Sequence, residues 1–79
     1  MTTIRIIIAD DHPVVREGLA GMLAGQPDLE VVAQAEDGVQ AVALWAQYQP
    51  DVLLMDLRMP GMDGVQAIEA IQAQRPSAP

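Results

Sequence analysis

Three short apolar runs alternate with three stretches of helical spacing, and this alternation constrains the fold more than any other feature of the chain. The runs are Ile4–Ala9, Leu29–Ala35 and Val52–Met55. Each is rich in β-branched or aliphatic residues and too short for a buried helix, so each reads as a strand. The first is apolar except for Arg5 and stops at Asp10-Asp11; the third stops at Asp56. Near-continuous apolar strands separated by helices of ten to twelve residues form parallel sheets covered by helices. Right-handed crossovers then leave only a few topologies. The predicted order is β-α-β-α-β-α, an α/β fold without internal repeats.

The helical segments are bounded by local signals. Pro13 suits a first helical turn, where its missing N–H has no partner to lose. Asp11 and His12 stand just before it as capping groups. Over Pro13–Ala24, the residues Val15, Leu19, Met22 and Leu23 fall on one predicted face. Gly18 and Gly21 each weaken this helix by about 1 kcal/mol relative to Ala, and Gly25 marks its end. Gln26-Pro27-Asp28 reads as a turn and Glu36-Asp37-Gly38 as a loop. The second helix is predicted over residues 39–48, with Val39, Val42, Ala43 and Ala46 as its apolar stripe and Trp45 and Tyr48 as partly exposed cover. Pro50 and Asp51 end it. Residues 59–64 form a turn-rich loop, and the third helix is predicted over residues 65–74, with Val65, Ile68, Ala70 and Ile71 apolar. Met55, Met59 and Met62 are read as core and loop packing.

Charge excludes some functions. The 79 residues carry a net charge of −7, with no lysine and only Arg5, Arg16, Arg58 and Arg75 as cations. Direct nucleic-acid binding needs basic residues to neutralise phosphates, so it is not expected of this chain. Ile6-Ile7-Ile8-Ala9 is far too short to span a membrane, and no signal-peptide layout is present. A soluble, cytoplasmic chain is expected. There is no cysteine, hence no disulfide or thiolate metal site.

In open α/β sheets, ligands bind beyond the carboxyl ends of the strands. Asp10, Asp11 and Asp56 lie at such ends. If the first and third strands are neighbours, the three carboxylates converge, repel one another and invite a hard divalent cation such as Mg²⁺. One carboxylate would remain available as a nucleophile toward phosphorus. The plainer alternative is that they are solvated strand-end caps. His12 could be imagined as a metal ligand, but its place before Pro13 favours a helix-start role. The Arg58 side chain is expected to be exposed.

Two motifs carry a family resemblance. The stretch Ala9-Asp10-Asp11-His12-Pro13-Val14-Val15-Arg16-Glu17-Gly18-Leu19 resembles the opening of receiver domains from response regulators of the NarL/FixJ group, which carry a LuxR-type helix-turn-helix. Residues 50–64, from Pro50-Asp51 through Asp56-Leu57-Arg58-Met59-Pro60-Gly61-Met62-Asp63-Gly64, resemble the phosphorylation segment of the same group. The resemblance implies a flavodoxin-like sheet in the order 2-1-3, which makes the first and third strands neighbours. It implies that Asp56 accepts a phosphoryl group from a sensor histidine kinase with Mg²⁺. Asp11 would ligate the metal directly, Asp10 through water, and Asp56 and the backbone carbonyl of Arg58 would complete the protein ligands. Pro60 and Gly61 would shape the loop presenting that carbonyl, and Gly64 would let the chain turn into the next helix.

A whole receiver has five β-α units, so the resemblance predicts that residues 1–79 are a receiver domain truncated before strands 4 and 5, with no output domain. In the family, a Ser or Thr on strand 4 and a Lys on strand 5 hold the phosphoryl oxygens. This chain has no lysine, and its hydroxyl residues besides Tyr48 are Thr2, Thr3 and Ser77. The expected role is a non-enzymatic phospho-acceptor module that normally controls a DNA-binding output domain, impaired in this form. The first helix would lack its usual neighbour and the third strand would be an edge, so a homo-oligomer formed through that edge is expected. The competing reading is a self-associating module without phosphotransfer. An Mg²⁺-dependent aspartyl phosphatase is disfavoured, since Arg58 stands where such an enzyme would carry its second acid.

Overall fold

The computed structural model describes residues 3–56 and 64–74. Six elements follow in the predicted order: β1 (Ile4–Ala9), α1 (Pro13–Ala24), β2 (Leu29–Ala35), α2 (Gly38–Tyr48), β3 (Val52–Met55) and α3 (Gly64–Ala73). The strands form one parallel sheet in the order β2-β1-β3. This is the flavodoxin-like receiver arrangement expected from the resemblance. Ile6 to Ala9 pair with Val52 to Met55 in unbroken register. Pairing of β1 with β2 shifts between Ile6 and Ile7, so Ile6 faces Val31 and Ile7 faces Ala33.

The central strand is the core. Ile6, Ile7, Ile8 and Ala9 are all buried, and Ile7 and Ile8 are the largest side chains removed from water completely. Successive strand residues point to opposite faces. Ala9 and Ala35 pack with Ala41 of α2, and Leu44, Leu53 and Met55 close around them. Ile8 instead lines a cavity with Leu19 of α1 and Leu54 of β3. Helices α2 and α3 therefore share one face of the sheet and α1 lies on the other.

The residues that the helices bury match those predicted only in part, as at Ile71. In α2 the buried residues are Gly38, Ala41 and Trp45, whereas Val39 is 61% exposed and Ala43 and Ala46 are exposed. In α3 they are Gly64, Ala67 and Ile71, with Val65 and Ile68 left exposed. Polar residues mark the outer face: Gln40 and Gln47 of α2 and Gln66, Glu69 and Gln72 of α3 are exposed, and helical spacing sets them opposite the buried positions. In α2, Trp45 is buried one turn beyond Ala41. Trp45 is thus core rather than cover. Helix α1 buries no residue fully; Leu19 and Leu23 are half-buried, and Val15 and Met22, expected to face inward, are exposed.

Caps explain where the helices begin and stop. The Asp37 carboxylate accepts the Gln40 N–H at 2.8 Å, and the Gln40 side chain reaches back to the Glu36 N–H at 3.0 Å. This reciprocal arrangement satisfies donors at the start of α2. At its end, Gln49 takes a left-handed conformation with φ 45°. Arg5 extends from β1 and donates to the Tyr48 carbonyl at 2.6 Å. A cation is favourable against the free carbonyls of a helix C-terminus, which accounts for the one charge in an otherwise apolar strand. Gly25 caps α1 with right-handed angles, so its glycine freedom is not used there.

Candidate metal and phospho-acceptor site

The acids sit where β1 and β3 leave the sheet. The Asp10 N–H makes the last bond to β2, to the Ala35 carbonyl at 3.0 Å. The Asp56 N–H does the same toward β1, to the Ala9 carbonyl at 2.9 Å. Adjacent strands in register thus deliver Asp10, Asp11 and Asp56 to one place. Asp10 is buried and the other two are half-buried. One ligand-capable atom from each of Asp10, Asp11, His12 and Asp56 lies within 4.8 Å of the others.

His12 is the residue whose part the sequence understated. It does occupy the N-cap position of α1, and its carbonyl accepts the Arg16 N–H, but its side chain makes no capping bond. Its backbone N–H donates to Asp10 Oδ1 at 2.8 Å and its ring Nδ1 lies 3.0 Å from the same oxygen. Carboxylate oxygens only accept, so Nδ1 carries the proton in this contact. The backbone N–H of His12 is the main reason the Asp10 carboxyl is held below the usual carboxylate value; the ring and the Arg16 charge act in the same direction and burial opposes them. Conversely, the hydrogen bond to Asp10, followed by the Asp11 charge, raises the His12 imidazole above its ordinary pKa. Arg16 also donates to the Asp10 backbone carbonyl at 2.7 Å, fixing the peptide between the two acids. Sequence reasoning gave Arg16 no role; its spacing of six residues from Asp10, across a turn into a helix, was the available signal.

Asp11 supplies the test of whether a cation fits. Its Oδ1 lies 3.0 Å from His12 Nδ1, but the ring N–H is directed at Asp10, and Asp11 Oδ1 is buried without a hydrogen-bond partner among the described residues. A buried carboxylate oxygen lacking a partner is costly unless a cation meets it. Three carboxylates around such an atom form an oxygen-donor set suited to Mg²⁺. Arg58, Pro60 and Gly61, together with Met59 and Met62, lie outside the described residues.

A cavity of about 360 Å³ opens beside Asp10 and Asp56 and runs along Ile8, Leu19 and Leu54. Another, of about 380 Å³, lies at the opposite end of the sheet among Trp45, Gln49, Pro50, Asp51 and Gln74. Of the carboxylates, only Asp51 lines it, and Asp51 accepts the Arg5 N–H at 2.9 Å.

The profile of the response regulator receiver domain matches residues 6–79. The chain belongs to this family, the receiver domains of two-component response regulators. It is 52% identical over 68 residues to the transcriptional regulatory protein LiaR of Bacillus subtilis, covering 86% of this chain and 32% of LiaR. The receiver domain of the response regulator NarL from Mycobacterium tuberculosis superimposes with a TM-score of 0.91 at 40% identity, over 95% of this chain and 60% of that one. The response regulator domain of Thermotoga maritima CheB superimposes with a TM-score of 0.90 at 36% identity, over 94% of this chain and 55% of that one. The chain spans about a third of the length of the curated relatives LiaR and YhcZ. No helix among the described residues is long and apolar enough to cross a membrane.

Proposed function

We propose that this receiver domain accepts a phosphoryl group on Asp56 from a sensor histidine kinase, with Mg²⁺ held by Asp10, Asp11, Asp56 and the Arg58 backbone carbonyl. The observation that carries the reading is the meeting of Asp10, Asp11 and Asp56 at adjacent strand ends around the buried Asp11 Oδ1, which has no hydrogen-bond partner among the described residues. An Asp56 carboxylate oxygen would form the new bond to phosphorus as the bond from phosphorus to the kinase's histidine nitrogen breaks. Mg²⁺, when bound, neutralises charge gathering on the phosphoryl oxygens. Asp10, anchored by the His12 N–H and kept ionised, would hold its part of the cation's surroundings. Arg16 would keep the Asp10–Asp11 peptide in place.

On this reading residues 1–79 act as a cytoplasmic signalling module without enzymatic activity of their own, a receiver that serves transcription control through an output domain. The test is incubation with a small phosphodonor and Mg²⁺, followed by intact-mass measurement. Labelling that needs Mg²⁺ and disappears in Asp56→Asn is expected. Labelling that persists in Asp56→Asn would overturn the assignment of the acceptor.

A second reading, association of copies through β3, is favoured by one observation. β3 is an edge strand whose Val52 and Leu54 are each 39% exposed, and apolar edges recruit further strands. Chromatography with light scattering on the same samples separates a monomer from a dimer.

A further inference from the structure

Two cavities adjoin beside the start of β3, away from the acidic cluster. The one of about 380 Å³ and a second of about 250 Å³ share Trp45, Pro50 and Asp51 as walls. The larger adds the amides of Gln49 and Gln74; the smaller adds the apolar Leu53, Met55, Ile68 and Ile71. The pair is thus polar at one end and apolar at the other, and its size suits a small ligand. Asp51 is the one carboxylate in either lining, and it has no ion pair among the described residues. It accepts the Arg5 backbone N–H, while the Arg5 guanidinium turns away to the Tyr48 and Gln49 carbonyls. Gln49 adds an independent observation. Its φ of 45° is the positive value found at a non-glycine residue among the described residues, where Gly or Asn would be less strained. Strain of this kind is held in place at ligand clamps, and Gln49 lines the polar end.

We propose that these cavities bind a small amphipathic organic cation, with its ammonium or guanidinium head at Asp51 and its apolar tail against Leu53, Met55, Ile68 and Ile71. A carboxylate without an ion pair selects a cation over an anion or a neutral head, and the net charge of −7 draws cations to the chain. The Gln49 and Gln74 amides supply further oxygen acceptors for the N–H groups of the head. Trp45, common to both cavities, offers an indole that attracts a cation and also packs against an alkyl chain. The site is independent of the acids at the other end of the sheet, so it stands or falls apart from the phospho-acceptor reading.

The experiment uses the full chain and n-hexylammonium as the probe, with hexanoate and methylammonium as controls. Binding is followed by the fluorescence of Trp45, the single tryptophan, and by calorimetry. The expected result is saturable binding of hexylammonium, none of hexanoate, and binding of methylammonium weaker by about tenfold or more because it lacks the tail. Asp51→Asn keeps an oxygen acceptor for the Arg5 N–H and so keeps the fold, yet should weaken hexylammonium by about tenfold or more. Gln49→Gly should weaken it while raising the thermal midpoint, the opposite of what a purely structural residue does. Equal binding of hexylammonium and hexanoate, affinity unchanged in Asp51→Asn, or no saturable binding would each overturn the inference. Binding that appears only in Arg75→Ala would overturn it as well, by showing that the chain's own guanidinium takes that place.

Discussion

Alternate residues of β3 meet different surroundings. Leu53 and Met55 are half-buried on the side of the sheet covered by α2 and α3. Val52 and Leu54 are each 39% exposed, and Leu54 lines the open cavity beside α1. The helices repeat the contrast: α2 and α3 each bury three residues, α1 none. A parallel sheet is stable when both faces are dry. Here one face is close-packed on small residues, while the other is partly roofed by a helix that keeps Val14, Val15 and Met22 in water. The acidic site lies at the seam between them, because β1 and β3 deliver its residues and α1 begins within it.

The largest expected effect tests the two faces through neighbouring residues of one strand. Ile7, fully buried, belongs by alternation to the α2–α3 face, and Ile8, 1% exposed, to the α1 face. Ile7→Ala should cost about 4 kcal/mol and Ile8→Ala about 3 kcal/mol. The difference arises because Leu19 and Leu54 have room to close on the space left by Ile8, while Ala9, Ala35 and Ala41 do not. Urea unfolding measures both, and equal losses would break the comparison.

A smaller effect of opposite sign concerns the outer side of α1. A Cβ added at Gly18 would meet nothing within 4 Å. Gly18→Ala should therefore stabilise the chain by about 1 kcal/mol, the helix propensity difference alone. A drop in thermal midpoint instead would show that something packs against that side of α1 in solution.

The smallest effect belongs to the seam and is a pH dependence of the metal-free chain. Asp10 titrates below its ordinary 3.8, so its contribution to stability is present above that pH and is lost as pH falls through the folded value. His12 titrates above its ordinary 6.5, so its contribution is complete below that pH and is lost as pH rises through the folded value. The thermal midpoint should be highest between pH 3.8 and 6.5. The decline on the alkaline side should flatten in His12→Ala; a decline of the same steepness there would remove His12 as its source.

The elements themselves are legible in the amino-acid sequence. Hydrophobic period, Pro13 and the strand-ending acids place β1, α1, β2 and β3 within their observed bounds, and α2 and α3 start only one residue earlier than predicted. The three acids and the 2-1-3 order are legible as well, the order through family resemblance. Those features are local or carried by motif, so the chain states them directly. The buried faces of α2 and α3 are legible too, but in the polar positions Gln40, Gln47, Gln66, Glu69 and Gln72 and not in the apolar ones. Tertiary structure decided how far each buried arc extends: it takes in Gly38, Gly64 and Ala67 with Trp45 and Ile71 and leaves Val39, Val65 and Ile68 exposed. It alone also decided where the polar side chains of His12, Arg16 and Arg5 turn. Each has several low-energy rotamers, and the choice rests on carboxylates and carbonyls that become neighbours only when the strands pair.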